Sequence, residues 1–425
     1  MKDRQPKLKD YLHDIQQCVK CGTCHAYCPV YDQERREPVV ARGKMALAQT
    51  LLEGKTEIDE RFMRNLSECL LCGSCSNKCP NKVPVEEIVA ATRREIAAQK
   101  GLSLFGLGLT QVLRRPWLMK LGARFGHLFS AVLFRRIPQQ SGLRLRFPAP
   151  YIRRDRTIPK VAPHFLRDSY PDFIPGAEDR PHVALFTGCM INFMFPQIGD
   201  AAIHLLKALG INIHIPKEQG CCGVPALSAG SGEVVTELAQ RNFEALSRTK
   251  VDAVLTMCAS CNFGLRSHLA KIGGEAGEEL AAKVMDIHPF LMKYGIQEIL
   301  AHAPAPAEVI RVTWHDPCHL RNIGVTAEPR ALLKALPGIE FVEMPDADKC
   351  CGLGGTFSVY HYDLSLKIGA KKVNSIAATK AAVVATGCPG CMLQLQDSIN
   401  HAGLNCRVCH SLELLDRALK LEQSE

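Results

Sequence analysis

The amino-acid sequence predicts an α+β multidomain chain, a helical cysteine-rich head followed by two α/β domains of one design. Three observations lead there. Two identically spaced cysteine motifs fall within the first hundred residues. Beyond residue 182, short β-branched runs alternate with amphipathic segments. That alternation, cysteines included, then occurs a second time. The 425 residues exceed what one core usually supports, and 47% apolar with 22% charged residues excludes a disordered or collagen-like chain.

In residues 1–100 the first motif, Cys18-x2-Cys21-x2-Cys24-x3-Cys28-Pro29, is matched spacing for spacing by Cys69-x2-Cys72-x2-Cys75-x3-Cys79-Pro80. Helices are read between them over Ala41 to Leu52 and Ile58 to Leu66. Three thiolates in one tight loop can grip three corners of a cubane. A fourth, leaving on the Pro-turned strand of the other motif, reaches across, which is the two-cluster ferredoxin pattern. The head is therefore read as ferredoxin-like with two [4Fe-4S] clusters. Cys18, Cys21, Cys24 and Cys79 are assigned to one, and Cys69, Cys72, Cys75 and Cys28 to the other. A zinc-stabilised scaffold is the alternative, because C-x2-C pairs also bind zinc.

Residues 101–181 read as a basic helical segment and a linker. Between Glu95 and Asp155 stand eleven basic residues and no acidic one, so the rest of a chain of net charge +9 sums to −2. The apolar runs Gly101 to Leu113 and Phe125 to Phe134 are shorter than the ~18 residues of a spanning helix. They fit a packed helical hairpin, a docking face for an acidic partner, or a helix lying on an anionic membrane surface. Eight prolines from Pro138 to Pro181 then interrupt regular structure.

Two further domains are expected at 182–305 and 306–425. HVALFTGC, a helix near Gly199 to Leu209, INIHIP, a helix near Glu233 to Leu246 and VDAVLTMC make the first, with a largely parallel sheet. EVIRVTWHDPC, a helix around Leu332, IEFVEMP, a helix near Leu364 to Ile376 and AAVVATGC make the second. Cys189, Cys221 and Cys222 recur as Cys318, Cys350 and Cys351 at a shift of 129, and Cys258 and Cys261 as Cys388 and Cys391 at 130. Such spacing suits a shared ligand set; packed thiols or a vicinal disulfide are the alternatives. Gly223 and Gly352 would let backbone come close to inorganic sulfide.

The Cys-Cys-Gly steps at 221–223 and 350–352 resemble the cysteine-rich domain shared by heterodisulfide reductase B subunits and glycolate oxidase iron–sulfur subunits. A ferredoxin-like head followed by two such domains resembles the glycolate oxidase and D-lactate dehydrogenase iron–sulfur subunit family over nearly the whole chain. Ala41-Arg42-Gly43-Lys44 and Cys350-Cys351-Gly352-Leu353-Gly354-Gly355-Thr356 are further echoes. The resemblance implies a non-cubane [4Fe-4S] cluster in each repeat. Its ligands would be Cys189, Cys221, Cys222, Cys258 and Cys261 in the first, and Cys318, Cys350, Cys351, Cys388 and Cys391 in the second. The complete first set leans toward the heterodisulfide reductase type.

Neither a G-x-G-x-x-G nor a G-x4-G-K-[ST] motif occurs, so no nucleotide or flavin site is visible. Two-electron oxidation of a 2-hydroxy acid is work for a flavin, whereas iron–sulfur clusters take electrons singly. The expectation is an iron–sulfur electron-transfer subunit of a glycolate or D-lactate oxidoreductase. An FAD-containing partner would oxidise the substrate, quinone or another acceptor would take the electrons, and no catalytic residue or nucleic-acid partner is expected here. The alternative is a heterodisulfide-reductase-like catalytic subunit that cleaves a disulfide or reduces quinone itself. Cys406 and Cys409 read as core or surface thiols and His288 and His410 as core residues, while His315 and His319, close enough to Cys318 to hydrogen-bond a cluster sulfur or move a proton, read as capping or core residues. The charged N-terminal segment lacks the apolar core of a secretory signal, which points to the cytoplasm, with attachment to the inner membrane face where the basic segment meets lipid.

Overall fold

The computed structural model describes residues 5–137, 142–304, 306 and 308–422. Pro138 and the side chain of Arg136 lie outside it. In the head, the helix Ala41–Leu52 keeps the bounds its periodicity predicts. Its neighbour Glu60–Ser67 starts where the Asp59 carboxylate accepts from the Phe62 amide at 2.6 Å. These two and the helix Val85–Lys100 enclose a small core containing Ile15, Met45, Phe62, Leu66, Ile88 and Val89. Each cysteine loop turns through a left-handed residue before its second cysteine, Lys20 (φ 56°) in one and Leu71 (φ 53°) in the other.

The basic segment divides at Pro116. The helix Leu104–Arg114 buries Gly106, Thr110 and Leu113 against the helices Val224–Ala229 and Gly232–Leu246. Arg114 fastens it by ion pairs to Glu237 (2.5 Å) and Glu233 (3.4 Å). The helix Pro116–Leu128 and the short turn Ser130–Leu133 bury no residue at all. A hairpin of β1 (Phe134–Arg136) and β2 (Leu143–Leu145) follows, unread in the sequence. The Pro-rich run expected as a linker is built into the repeats. Phe165 and Leu166 are buried, the Thr157 amide donates to Asp397 Oδ1 at 2.7 Å, and β3 (Phe173–Ile174) pairs antiparallel with an edge strand of the first repeat. Proline forbids regular hydrogen bonding along this run without forbidding burial.

The first repeat contributes β4 (His182–Phe186), β5 (Asn212–His214), β6 (Ala253–Thr256) and β7 (Val284–Asp286), ordered β3-β5-β4-β6-β7 with β4 to β7 parallel. The second contributes β8 (Ile310–His315), β9 (Ile339–Phe341), β10 (Val383–Thr386) and β11 (Arg407–His410), ordered β9-β8-β10-β11 and wholly parallel. With β3 set aside, both sheets have the doubly wound order in which the second strand flanks the first on one side and the third on the other. The strands are apolar on both faces because helices cover both, and one hydrophobic core runs through the two repeats.

Arg93, buried in the helix Val85–Lys100, joins the head to the first repeat. Its guanidinium donates to the carbonyls of Leu66 (2.9 Å), Ser67 (3.0 Å) and Cys69 (2.7 Å), and to that of Ser228 at 3.2 Å. Each of these carbonyls would lose a charged donor on truncation. Arg93→Ala is therefore expected to destabilise the chain by about 3–5 kcal/mol. Denaturant unfolding of anaerobically prepared protein checks this; an unchanged midpoint would mean that the guanidinium contributes nothing net.

Candidate metal centres

All twenty cysteines are free thiols. In the head they line two adjoining cavities. Cys18, Cys21, Cys24 and Cys79 border one, Cys28, Cys69 and Cys72 border the other, and Cys75 borders both. The loops are held by groups outside them. Arg42 donates to the Lys20 carbonyl at 3.2 Å while its fork is fixed on Glu37, and Arg93 grips the Cys69 carbonyl. Cys28 caps the helix Pro29–Glu34, its sulfur accepting from the Tyr31 amide at 3.4 Å, so Pro29 both turns the chain and aims the thiol. Burial pushes the Cys28 thiol up to about 12. A group that draws the thiolates together must therefore supply positive charge.

One such charge belongs to the protein. Lys44 is 1% exposed and donates to the carbonyls of Asn65 (2.6 Å) and Pro38 (3.2 Å), beside the cavity of Cys28 and Cys69. The Ala-Arg-Gly-Lys echo marks this residue in the sequence without revealing that it is buried against the thiols.

In the repeats the doubly wound order explains the cysteine positions. Adjacent strands β4 and β6 run out at Phe186 and Thr256, and Cys189 and Cys258 follow within three residues. β8 and β10 run out at His315 and Thr386, and Cys318 and Cys388 follow likewise. These are the carboxyl ends of neighbouring strands where the strand order reverses, the crevice in which such sheets bind ligands. The Cys189 and Cys221 sulfurs lie 3.8 Å apart, non-bonded, and no disulfide joins the vicinal pairs. The neighbouring thiols Cys221 and Cys350, together with burial, push Cys189 and Cys318 respectively well above the ordinary thiol range. Soft donors clustered in a dry crevice fit an iron–sulfur group better than a hard cation.

The Cys-Cys-Gly glycines also meet a demand of the protein's own packing. Gly223 and Gly352 have φ of +91° and +100°. A Cβ there would stand 3.0 Å from His268 Nδ1 in one case and 2.8 Å from the Ser365 carbonyl in the other. Packed helices leave no room for a side chain at either position.

The sets abut. Cys72 and Cys350 are thiol neighbours across the contact of head and second repeat. Asn322 and Arg321, four and three residues beyond Cys318, seat this contact. Asn322 donates to the Cys72 carbonyl (3.1 Å) and accepts from Asn77 (2.7 Å), and Arg321 donates to Ser74 Oγ (2.9 Å). The repeats meet at the carboxyl ends of their sheets, with the Cys258 and Cys388 sulfurs 3.9 Å apart and the Ala259 amide donating to the Gly387 carbonyl.

His288 and His410 are core residues of that meeting. His288 pairs with Asp286 (2.5 Å) and reaches Ser411 Oγ (2.6 Å), and His410 donates to the Met257 carbonyl (3.0 Å). His319 stacks on Phe263 with its Nε2 3.4 Å from the Leu71 carbonyl. Cys406 and Cys409 are buried on and beside β11, and neither lines either head cavity.

Known proteins match this layout. A 4Fe-4S dicluster domain model matches residues 14–83, and a cysteine-rich domain model matches 183–266 and again 312–396. The chain is 34% identical to the probable glycolate oxidase iron-sulfur subunit of Bacillus subtilis, over 98% of this chain and 97% of that one. It is 27% identical to a subunit of the dihydromethanophenazine:CoB–CoM heterodisulfide reductase of Methanosarcina mazei, over 97% and 95%. Against lactate utilization protein A of Exiguobacterium sp., identity is 31% over 56% of this chain and 99% of that one. A hypothetical protein from Helicobacter pylori, 9% identical, shares the fold with a TM-score of 0.53 over 97% of this chain and 76% of its own. With both domain models in the expected order and a relative matched end to end, the chain belongs to the family of glycolate oxidase iron–sulfur subunits.

Proposed function

We propose that this chain is the electron-transfer subunit of a 2-hydroxy-acid oxidoreductase, taking electrons from an FAD-containing partner that oxidises glycolate or D-lactate and delivering them toward quinone. One observation carries the reading: the cysteine sets succeed one another without a gap. The exposed Cys21 lies at one end, Cys75 borders both head cavities, Cys72 touches Cys350, and Cys388 touches Cys258. Iron–sulfur clusters supply one-electron sites when bound. The residues of this chain hold and space those sites, exclude water from the inner ones, and fix their order.

For the head we assign Cys18, Cys21, Cys24 and Cys79 to one cluster and Cys69, Cys72, Cys75 and Cys28 to the other. The five cysteines of each repeat are assigned to one further cluster apiece. The two cavities support the crossed head assignment, since each is lined by three thiols of one motif and the last thiol of the other, with Cys75 bordering both.

A second reading, disulfide reduction by the repeats themselves, is favoured by the complete five-cysteine sets and by the relative of the heterodisulfide reductase type. Anaerobic protein given a chemical reductant separates the two. The electron-transfer reading expects reduction of a quinone analogue without disulfide cleavage, and cleavage by the isolated chain would overturn it.

The acceptor side is supported by the helix Pro116–Leu128. Trp117, Leu121, Phe125 and Leu128 are 61%, 58%, 55% and 75% exposed, an apolar stripe at helical spacing, and the exposed Arg115 and Arg135 flank the helix along the chain, at its N-cap and on β1. A cavity of 510 Å³ lined by His127, Val161, Phe195 and Met392 opens next to the same helix, and Met392 adjoins Cys391. No described helix is long and apolar enough to cross a membrane. An anionic lipid surface fits this stripe and its cationic rim, each basic residue adding about 1 kcal/mol. Arg114 stands apart from that rim, because its ion pairs hold the preceding helix to the first repeat.

Three outcomes follow. Anaerobic protein is expected to carry about eight irons from the head and to rise toward about sixteen with both repeats loaded; below about two per chain, with zinc instead, the cluster reading fails. Cys79→Ser should alter the spectroscopic signature of the cluster held by Cys18, Cys21 and Cys24, and a change confined to the Cys69, Cys72 and Cys75 cluster would reverse the crossed assignment. The triple variant Leu121→Ser, Phe125→Ser, Leu128→Ser should lose binding to anionic vesicles at unchanged iron content. Equal sedimentation of variant and wild type with vesicles, or of neither, would overturn the lipid reading of the stripe.

A further inference from the structure

β8 ends on His315, and its ladder sets that residue opposite Thr386, two residues before Cys388. The imidazole is wholly buried, and neither ring nitrogen has a hydrogen-bond partner. A buried polar group without a partner costs free energy, and native structures seldom leave one so. The ligating nitrogen of His315 and the sulfurs of Cys351 and Cys391 all lie within 4.8 Å of one another, yet no hydrogen bond joins ring to thiol. Donors sharing one tetrahedral metal stand about 2.0 Å (nitrogen) and 2.3 Å (sulfur) from it, which places them at comparable separations from each other.

The first repeat provides the internal comparison. Phe186 ends β4 opposite Thr256, two residues before Cys258. A Cβ on Gly188 would stand 3.0 Å from Cys261 Sγ and 3.3 Å from the Phe186 ring, so ring and sulfur flank the same point. At equivalent positions, then, one repeat places a phenyl ring beside its C-x2-C cysteine and the other an imidazole with both nitrogens unused.

We propose that His315 is a nitrogen ligand to an iron shared with Cys351 and Cys391, giving the second repeat a mixed sulfur and nitrogen donor set that the first repeat lacks. The proposal rests on the reading that the second repeat holds an iron–sulfur cluster. Its consequence is an inequality between the repeats. A neutral imidazole leaves the cluster with less negative charge than cysteine ligation alone and raises its reduction potential.

Pulsed electron paramagnetic resonance on the whole anaerobic chain tests it. Wild type should show a directly coordinated 14N on one signal that does not belong to the head, and the coupling should convert to 15N when histidine alone is labelled. His315→Phe, which installs the residue the first repeat uses, should abolish that coupling and lower the midpoint potential of the same signal at unchanged iron content. His319→Phe should leave both in place. Full iron loading without nitrogen coupling in wild type, or a coupling that survives His315→Phe, would overturn the ligand assignment and leave the cluster reading standing. Iron confined to the head would overturn both.

Discussion

Thiols packed sulfur against sulfur in a water-poor interior govern this architecture. Neighbouring thiols and burial hold Cys189 and Cys318 above the ordinary thiol range, and burial does the same to Cys28, while hydrogen bonds from adjacent thiols hold Cys222, Cys351 and Cys388 below it. A cation gathering the sulfurs would relieve that strain on the ionised forms. The protein contributes some of the compensation through Lys44 and the guanidinium of Arg93, both held among backbone carbonyls. Those carbonyls are the chief partners of the two cations, so their charge remains available to the nearby sulfurs.

The fold meets this constraint in two ways. In the head, short loops turned by left-handed residues and stopped by proline bring thiols together from within a few residues, and one thiol crosses from the opposite motif. In the repeats the sheet does the gathering, because neighbouring parallel strands end side by side and their following loops open into one crevice. Duplication then sets two crevices face to face, and Cys258 meets Cys388 through the same interface that His288 and His410 fill on its far side.

Much of this is legible in the sequence because ligand spacing is a local property. The head motifs, the helix Ala41–Leu52 and the strands carrying Cys189, Cys258, Cys318 and Cys388 all follow from periodicity and cysteine count. β7 and β11 do not, being three and four residues long and ordered by their neighbours rather than by their own pattern. The apolar helix Pro116–Leu128 reads the same whether buried or bare, since periodicity identifies an apolar face and not what covers it. His315 looks like any core histidine until the register places it opposite Thr386 and shows Phe186 in the matching position.

The seating of Asn322 and Arg321 on the loop of Cys72 and Ser74 also makes the two head sets unequal in access. Cys72 is closed in by the second repeat, whereas Cys21 stays open to solvent. On the proposed assignment, a cofactor at the inner set would have to enter before the second repeat docks, whereas the outer set stays reachable in the folded chain.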